Sequence, residues 1–338
     1  MNRYTVGVAG CGDIATERHV PAIQANDATE LVSVYDHKYP NAERTASTFD
    51  IDGAYDDFDR FLETVDIITI ATPPFVHAEL AVAALESGTH VLCEKPMAVE
   101  KADAERMLEA DREHEARLGL VHNFLFSHSM QKARRLVDEG AVGDVQYLKG
   151  FQVSSPSRGL PSWYTDLPYD LFFDESPHFL YLMEHFIGQP QPTHVEPEFR
   201  DDQLQSMTAT LKGDNGQIGQ LTMHFNAPLS EWYLVIIGDR KLLIVDIFRD
   251  ILYQFDRETA HSAVEVLQVS LSAVRQILSG VGKSGVRLLR DDLYFGFDEL
   301  LEQYVHALHY GTDLPVSAAD GYRVFQSSYD IIEFNERQ

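Results

Sequence analysis

Hydrophobic and polar positions follow two rhythms along this chain. Up to about residue 122, compact apolar runs (Tyr4–Ala9, Leu31–Tyr35, Asp66–Ala71, His90–Cys93, Leu118–His122) are separated by longer segments (Ile14–Asn26, Pro40–Phe49, Phe75–Ser87, Lys101–Ala116) with helical patterning. The runs predict strands covered on both faces, and the periodic segments predict the helices that cover them. Gly88, directly after the third helical segment, is a C-terminal stop. Strand and helix in alternation imply a parallel sheet with right-handed crossovers.

After residue 123 the rhythm changes. A helical segment over Met130–Glu139 is followed by the strand-like segments Asp144–Val153, Gln205–Leu211, Gln217–Phe225, Trp232–Ile237 and Leu242–Ile247. Asp214-Asn215-Gly216 and Gly238-Asp239-Arg240 are hairpin-type turns. Helices return over Asp292–Tyr310 and Ala318–Glu336. The expectation is an α/β domain with a parallel sheet over 1–122, then an α+β domain with a mostly antiparallel open sheet over 123–338. An open sheet leaves an apolar face to cover, which points to a homodimer or homotetramer.

A length of 338 residues suits two domains, and 44% hydrophobic with 24% charged residues is globular composition. No apolar run approaches the roughly 18 residues of a membrane span. Met1 leads almost at once into a strand, which leaves no room for a signal peptide. Cys11 and Cys93 are too few for a disulfide framework, so they read as packing residues of a protein in the reducing cytoplasm. Charge changes the picture most. The chain has 27 Lys and Arg against 53 Asp and Glu, a formal charge of −26. Such a surface repels nucleic acid and anionic membranes. The acids are scattered, with lysine scarce. Self-repulsion is severe where the Debye length is about 10 Å and mild where it is about 3 Å, in molar salt. The reading is a halophilic protein.

The chemistry begins with Gly10-Cys11-Gly12-Asp13-Ile14-Ala15, placed after the first strand and opening the first helix. This is the dinucleotide-binding fingerprint in its Ala-ended form. Gly10 makes the tight turn, Gly12 lets backbone N–H groups approach a diphosphate, and the helix N-terminus faces its charge. Bulk at Gly12 is expected to block the cofactor. Asp36 ends the next strand 21 residues past the motif, the spacing of an acid that accepts from a ribose 2′-hydroxyl and repels a 2′-phosphate. NAD is therefore favoured over NADP, although His37 and Lys38 add cationic character that keeps NADP possible. Further on, Ala71-Thr72-Pro73-Pro74 and His77 follow one strand, and Glu94-Lys95-Pro96 follows another. Both lie at the strand ends where open α/β sheets bind ligands. Pro96 restricts the backbone of Lys95 and so fixes where its side chain leaves the chain.

These stretches resemble the glucose–fructose oxidoreductase and inositol dehydrogenase family of sugar-type oxidoreductases. The resemblance covers the N-terminal domain and reaches the second domain by architecture and one motif, Asp174-Glu175-Ser176-Pro177-His178. It implies an NAD(P)-dependent dehydrogenase acting on a secondary alcohol of a sugar or cyclitol-like substrate. It implies cofactor contacts from Gly10, Gly12, Asp13, Ile14, Asp36, His37, Ala71, Thr72, Pro73, His77, Glu94, Lys95 and Asn123. It makes Lys95, Asp174 and His178 the catalytic group. Lys95 stabilises a developing alkoxide, Asp174 orients the substrate hydroxyl, and either Lys95 or His178 takes the proton. Asp174 and His178 are four apart and share a helix face. Pro177 fits a first helical turn, which would set His178 near the helix start. Substrate contacts fall to Lys95, Arg158, Trp163, Tyr164, Asp174 and His178. The chain departs from the family at Pro168–Phe173, where glycines are usual, and at Leu125, where arginine is common. Those departures leave open a non-catalytic dinucleotide sensor, and the resemblance also admits a third reading, a relative that cleaves glycosides with tightly held NAD. No metal is expected, since His306 with His309, and His178 with His185, lack the acids or cysteines that would complete a site.

Overall fold

The computed structural model describes residues 3–201, 203–257 and 296–337, with isolated positions between 267 and 278. It divides into two compact units, 1–123 with 297–325, and 124–296 with 326–338. The single boundary expected after residue 122 does not capture the return of 297–325 to the first unit. That return has a clear physical cause. Tyr304 is fully buried, and its hydroxyl donates to the Val91 carbonyl at 2.8 Å. Gly321 lies so close to Leu120 that a Cβ there would meet its Cγ at 2.4 Å.

The first unit is a six-stranded parallel sheet in the order β3-β2-β1-β4-β5-β6. Its strands are β1 (Tyr4–Ala9), β2 (Thr29–Tyr35), β3 (Gly53–Tyr55), β4 (Ile67–Ile70), β5 (His90–Cys93) and β6 (Leu118–Leu120). The order reverses between β1 and β4, where such sheets open a crevice at their carboxyl edge. The crossovers are α1 (Val20–Ala25), α2 (Tyr39–Phe49), α3 (Phe58–Leu62), α4 (His77–Glu86) and α5 (Lys101–Glu113). A π turn over Ala15–His19 leads into α1. The short β3 and α3 had no clear periodicity. Asp57 caps α3 by accepting the Arg60 N–H at 3.1 Å.

The second unit is a seven-stranded sheet, mostly antiparallel, in the order β13-β12-β11-β7-β10-β9-β8. Its strands are β7 (Val145–Val153), β8 (Gln191–Arg200), β9 (Gln203–Lys212), β10 (Ile218–His224), β11 (Glu231–Gly238), β12 (Lys241–Asp246) and β13 (Ile251–Asp256). Among the described residues only β7 and β10 run parallel. The two expected turns do join antiparallel neighbours, β9 to β10 and β11 to β12. The pattern had not predicted β8 and β13, which are edge strands. Prolines interrupt β8 at 192 and 197, a feature that edges tolerate.

Helix α6 (His128–Asp138) is capped by the Ser127 hydroxyl, and α7 (Leu171–Ile187) lies on one face of the sheet. Gly150 admits α7 closely, because a Cβ there would meet the Phe179 ring at 2.7 Å. The opposite face carries Tyr147, Phe151, Tyr233, Val235 and Ile237, all half-buried. The late helix Phe297–Tyr310 was expected from 292, but 292–295 lie outside the described residues. Among the described residues no helix is long and apolar enough to cross a membrane.

One expectation about α7 is corrected. The helix starts at Leu171, so Pro177 lies inside it and His178 sits two turns in. The start is set by Tyr169 and Asp170, which adopt φ of 55° and 51° and turn the chain before the helix. His178 is therefore too deep for the helix N-terminus to bias its charge, an effect confined to the first turn.

Candidate functional site

In the first unit the marked residues line one edge. Ala9, Ile70 and Cys93 are neighbours in register, so the segments that follow β1, β4 and β5 leave the sheet side by side. Those segments carry Gly10–Ile14, Ala71–His77 and Glu94–Pro96. The two motif glycines differ in what requires them. Gly10 has φ +99°, and a Cβ would meet the Ala71 carbonyl oxygen at 2.7 Å, so the fold itself demands glycine. A Cβ at Gly12 would meet nothing within 4 Å, and the residue is exposed. The chain has no internal reason for that glycine. It leaves backbone open to an outside body, the cradle a diphosphate needs. Exposed apolar side chains gather on the same edge: Ile14 after β1, Tyr39 after β2, and Phe75 and Val76 after β4. They give a bound nucleotide flat apolar surface, and so the residues present fit a dinucleotide.

Asp36 is buried and already holds its own turn. One carboxylate oxygen accepts the Lys38 N–H at 2.9 Å and the Asn41 amide at 3.1 Å, and the other accepts the Cys11 N–H at 3.2 Å. Oδ2 thus retains a lone pair for a further donor. His37 is exposed, with Nδ1 3.4 Å from Asp36 Oδ1. Asp13 and Pro73 are exposed, Ala71 and Thr72 half-buried, and Asn123 buried. Burial pushes the Cys11 thiol up to about 11 and raises the Cys93 thiol as well, which suits inert packing residues.

The Lys95 turn is gripped on both flanks. Before it, Glu94 Oε1 lies 3.1 Å from His19 Nε2, and Glu94 Oε2 accepts the Lys95 N–H at 3.2 Å. Burial works to raise the Glu94 carboxyl, but the hydrogen bond and charge of His19, with the Lys95 ammonium, hold it below its ordinary value. After it, His77 is fully buried. Its Nδ1 is 3.0 Å from the Pro96 carbonyl and its Nε2 is 2.9 Å from the Thr72 carbonyl. Burial lowers the His77 imidazole against the pull of those carbonyls. A strut between two loops is what the structure makes of His77. The Lys95–Pro96 bond is cis.

In the second unit the gathering is different. Asp174 and His178 share a face of α7, Asp174 half-buried and His178 buried. The His178 Nδ1 lies 2.8 Å from the Tyr181 hydroxyl, which also accepts the Phe124 N–H at 3.2 Å. Phe124 and Trp232 pack against the imidazole, with centroids 4.5 and 5.5 Å away. Arg158 reaches the next residue of the motif, Glu175, with Nη1 2.7 Å from Oε1. The Gln152 amide donates to the other Glu175 oxygen and to the Ser154 hydroxyl. Burial raises the Glu175 carboxyl, and Arg158 and Gln152 oppose it. Arg158 Nε and Nη2, Gln152 Oε1 and Trp232 Nε1 are buried without a partner. Trp163 and Tyr164 stand half-buried on the same loop as Arg158.

Glu175, Gln152, Tyr181 and His19 were not singled out from the sequence. Glu175 sat inside the motif and could have been found there. The others have no local signal, because each matters only through a partner distant in sequence. Among the described residues no group of three or more His, Cys, Asp or Glu is placed to hold a metal ion. His185 instead accepts the Arg134 Nε–H at 3.1 Å, and burial pushes it down to about 4.

Known proteins give the same picture. Residues 4–122 match the profile of the oxidoreductase family with an NAD-binding Rossmann fold, and residues 130–244 match the GFO/IDH/MocA C-terminal domain. The dTDP-3,4-didehydro-2,6-dideoxy-alpha-D-glucose 3-reductase of Streptomyces violaceoruber is 41% identical over 147 residues, 42% of either chain. The glucose-6-phosphate 3-dehydrogenase of Bacillus subtilis is 30% identical over 144 residues, 43% of this chain and 41% of that one. These alignments span less than half the length of the curated relatives. Levoglucosan dehydrogenase, solved in complex with NADH, superposes with a TM-score of 0.81 over 100% of this chain and 98% of its own, at 17% identity. That likeness speaks for the fold. The two profile matches together take in well over half of the sequence, and the chain belongs to the GFO/IDH/MocA oxidoreductase family.

Proposed function

We propose that this chain is an NAD-dependent dehydrogenase acting on a secondary alcohol of a sugar or cyclitol-like substrate. One observation carries the reading. An exposed glycine that the fold does not require lies on the same sheet edge as Lys95, whose backbone is held on both sides. Gly10, Gly12, Asp13 and Ile14 would hold the diphosphate, Asp36 would accept from the ribose and favour NAD, and Ala71–Pro73 and Asn123 would receive the nicotinamide end. Bound there, the nicotinamide supplies the hydride acceptor or donor.

The chain's own groups do the rest. The Lys95 ammonium stabilises negative charge on the reacting oxygen. Asp174 orients the substrate hydroxyl, and the proton passes to Lys95 or His178. Arg158, Trp163 and Tyr164 meet the remainder of the substrate. The test is NADH formation at 340 nm across a panel of aldoses, inositols and keto-sugars, with NADP in parallel. Turnover on a polyol with NAD supports the reading. Absence of turnover on the whole panel, despite NADH binding, returns the chain to a sensor role. Product without net NADH marks glycoside cleavage.

Three features of setting belong to the same proposal. The half-buried face with Tyr147, Phe151 and Tyr233 supports pairing of two copies through the second sheet. Two free, buried thiols suit the cytoplasm. The charge of −26 supports work in concentrated salt, so the unfolding midpoint is expected to rise between 0.1 M and 2 M KCl. Equal midpoints would refute that.

A further inference from the structure

His19 has no place in the reading above, yet it is one of the most constrained polar residues in the first unit. It is fully buried, at the end of the π turn that follows the glycine loop. Its ring lies 4.3 Å from that of Phe297. Its Nδ1 has no hydrogen-bond partner, so the Nε2 contact to Glu94 is the polar interaction that justifies an imidazole at a dry position. An ionised Glu94 can only accept, so Nε2 is the nitrogen that carries hydrogen. That hydrogen bond fixes one oxygen of Glu94, and the other oxygen accepts the N–H of Lys95. A chain of two contacts therefore runs from the helix behind the glycine loop to the backbone of Lys95.

We propose that His19 is a positioning residue for Lys95. It anchors the Glu94 carboxylate, which orders the Lys95 backbone from the side opposite His77. The lysine is then presented in one direction before any ligand arrives. Preorganisation of this kind is worth rate rather than affinity, because a group misplaced by an ångström loses about 10²-fold in the reacting step. The proposal rests on Lys95 being the reacting lysine, and its test is built to separate the two claims.

Three substitutions read the contact. His19→Gln carries an amide N–H to nearly the position of Nε2. His19→Asn is polar but too short to reach Glu94. His19→Leu keeps the packing on Phe297 and removes the donor. Should the leucine variant fail to fold, the glutamine and asparagine pair decides. The first measurement needs no substrate: amide hydrogen exchange of the peptide spanning 90–97 in the cofactor-free protein. Exchange is expected to rise at least about tenfold in the asparagine and leucine variants, the size of one lost hydrogen bond to a charged group, and to stay near wild type in the glutamine variant. The second is single-turnover hydride transfer. Its rate is expected to fall about 10²-fold in the same two variants and to recover with glutamine, while the dissociation constant for NADH changes less than about threefold.

Unchanged exchange at 90–97 in the asparagine variant would overturn the proposal. So would equal loss in the glutamine and asparagine variants, or loosened exchange with hydride transfer intact. If the wild-type protein transfers no hydride to any substrate, the proposed function fails by itself. The exchange measurement then still decides whether His19 orders the turn.

Discussion

The two units of this protein assemble their candidate chemistry from different materials. In the first unit, backbone does most of the work. Parallel strands end in register, their loops emerge side by side, and one glycine leaves its amide exposed. The polar side chains there, Asp36 and His77 above all, are spent on holding loops. In the second unit, side chains do the work. Helix, strand and loop send Glu175, Gln152 and Arg158 into one dry cluster beside Asp174. An edge made of backbone survives most side-chain changes. A buried cluster of charges does not. The largest expected effect tests the chemical half of that contrast. Lys95→Ala should lower kcat on the order of 10³-fold while NADH binds nearly as before, since the glycine edge is untouched. Titration of NADH fluorescence beside steady-state kinetics checks it. A loss below tenfold, or a collapse of NADH binding, would remove Lys95 from the reaction.

The next effect probes the second unit. Glu175→Leu strands the Arg158 guanidinium in a site where two of its nitrogens already lack acceptors. Leaving a buried charge without its partner costs roughly 3 kcal/mol or more, read as a drop in urea unfolding stability. The pH dependence should also differ in sign between Glu94 of the first unit and Glu175 of the second. Glu94 has a lowered carboxyl in the folded state, so its contribution is present above the ordinary carboxylate value and is lost as pH falls through the lowered one. Glu175 has a raised carboxyl, so folding binds a proton there and stability declines as pH rises through the window above the ordinary value. Unfolding midpoints followed from acid to neutral pH should therefore show a shallower acid-side slope in Glu94→Gln, with Glu231 and Asp320 keeping the remainder. In Glu175→Gln the decline on the other side should be shallower, with Asp111, Asp170 and Asp246 keeping the remainder. Slopes of the same sign would contradict the contrast.

The same difference explains what was legible in the sequence. The first unit's edge was readable because topology and motif coincide: a strand, a turn glycine and a helix occupy consecutive residues, and Lys95 precedes a proline. Even so, the sequence could not say that Gly10 is required by the Ala71 carbonyl while Gly12 faces open space, since that depends on a strand some sixty residues away. In the second unit the Asp174–His178 spacing was legible, but the start of its helix was not. Pro177 resembles a first-turn proline until the positive φ angles of Tyr169 and Asp170 set the start six residues earlier. The edge strand β8 escaped because edge strands tolerate polar residues and prolines that blur the alternation. Gln152 looked like one more strand residue, and only the fold shows that it faces α7 and Glu175.

The glycines offer a smaller but cleaner test. Gly12→Val should leave stability nearly unchanged, because the new side chain meets nothing in the chain itself. It should weaken NADH about 30-fold, or ~2 kcal/mol, by filling the space the diphosphate needs. Gly10→Ala should do the reverse to stability, since its φ and the 2.7 Å approach to the Ala71 oxygen both oppose a Cβ. Calorimetry and binding on the two variants would separate a glycine kept for the ligand from one kept for the fold. Equal destabilisation by both would erase that distinction.

The smallest expected effect lies at Tyr181, one turn along α7 from His178. Its hydroxyl touches Nδ1 of the imidazole and the Phe124 amide, so it ties the ring to the start of the second unit. Tyr181→Phe keeps the aromatic body and removes the hydroxyl that makes both contacts. Of its two contacts the one that aims the ring is the bond to Nδ1, a neutral hydrogen bond worth about 1 kcal/mol, so kcat should fall about fivefold with KM little changed. The ring stays packed between Phe124 and Trp232, which is why the loss should not be larger. A hydrophobic clamp then provides most of the imidazole's orientation and the hydroxyl refines it, whereas in the first unit His19 and His77 hold the Lys95 turn through hydrogen bonds to Glu94 and the Pro96 carbonyl. A loss near 10²-fold would mean that the second unit also depends on hydrogen bonding to aim its reacting group, and that the two sites differ less than their composition suggests.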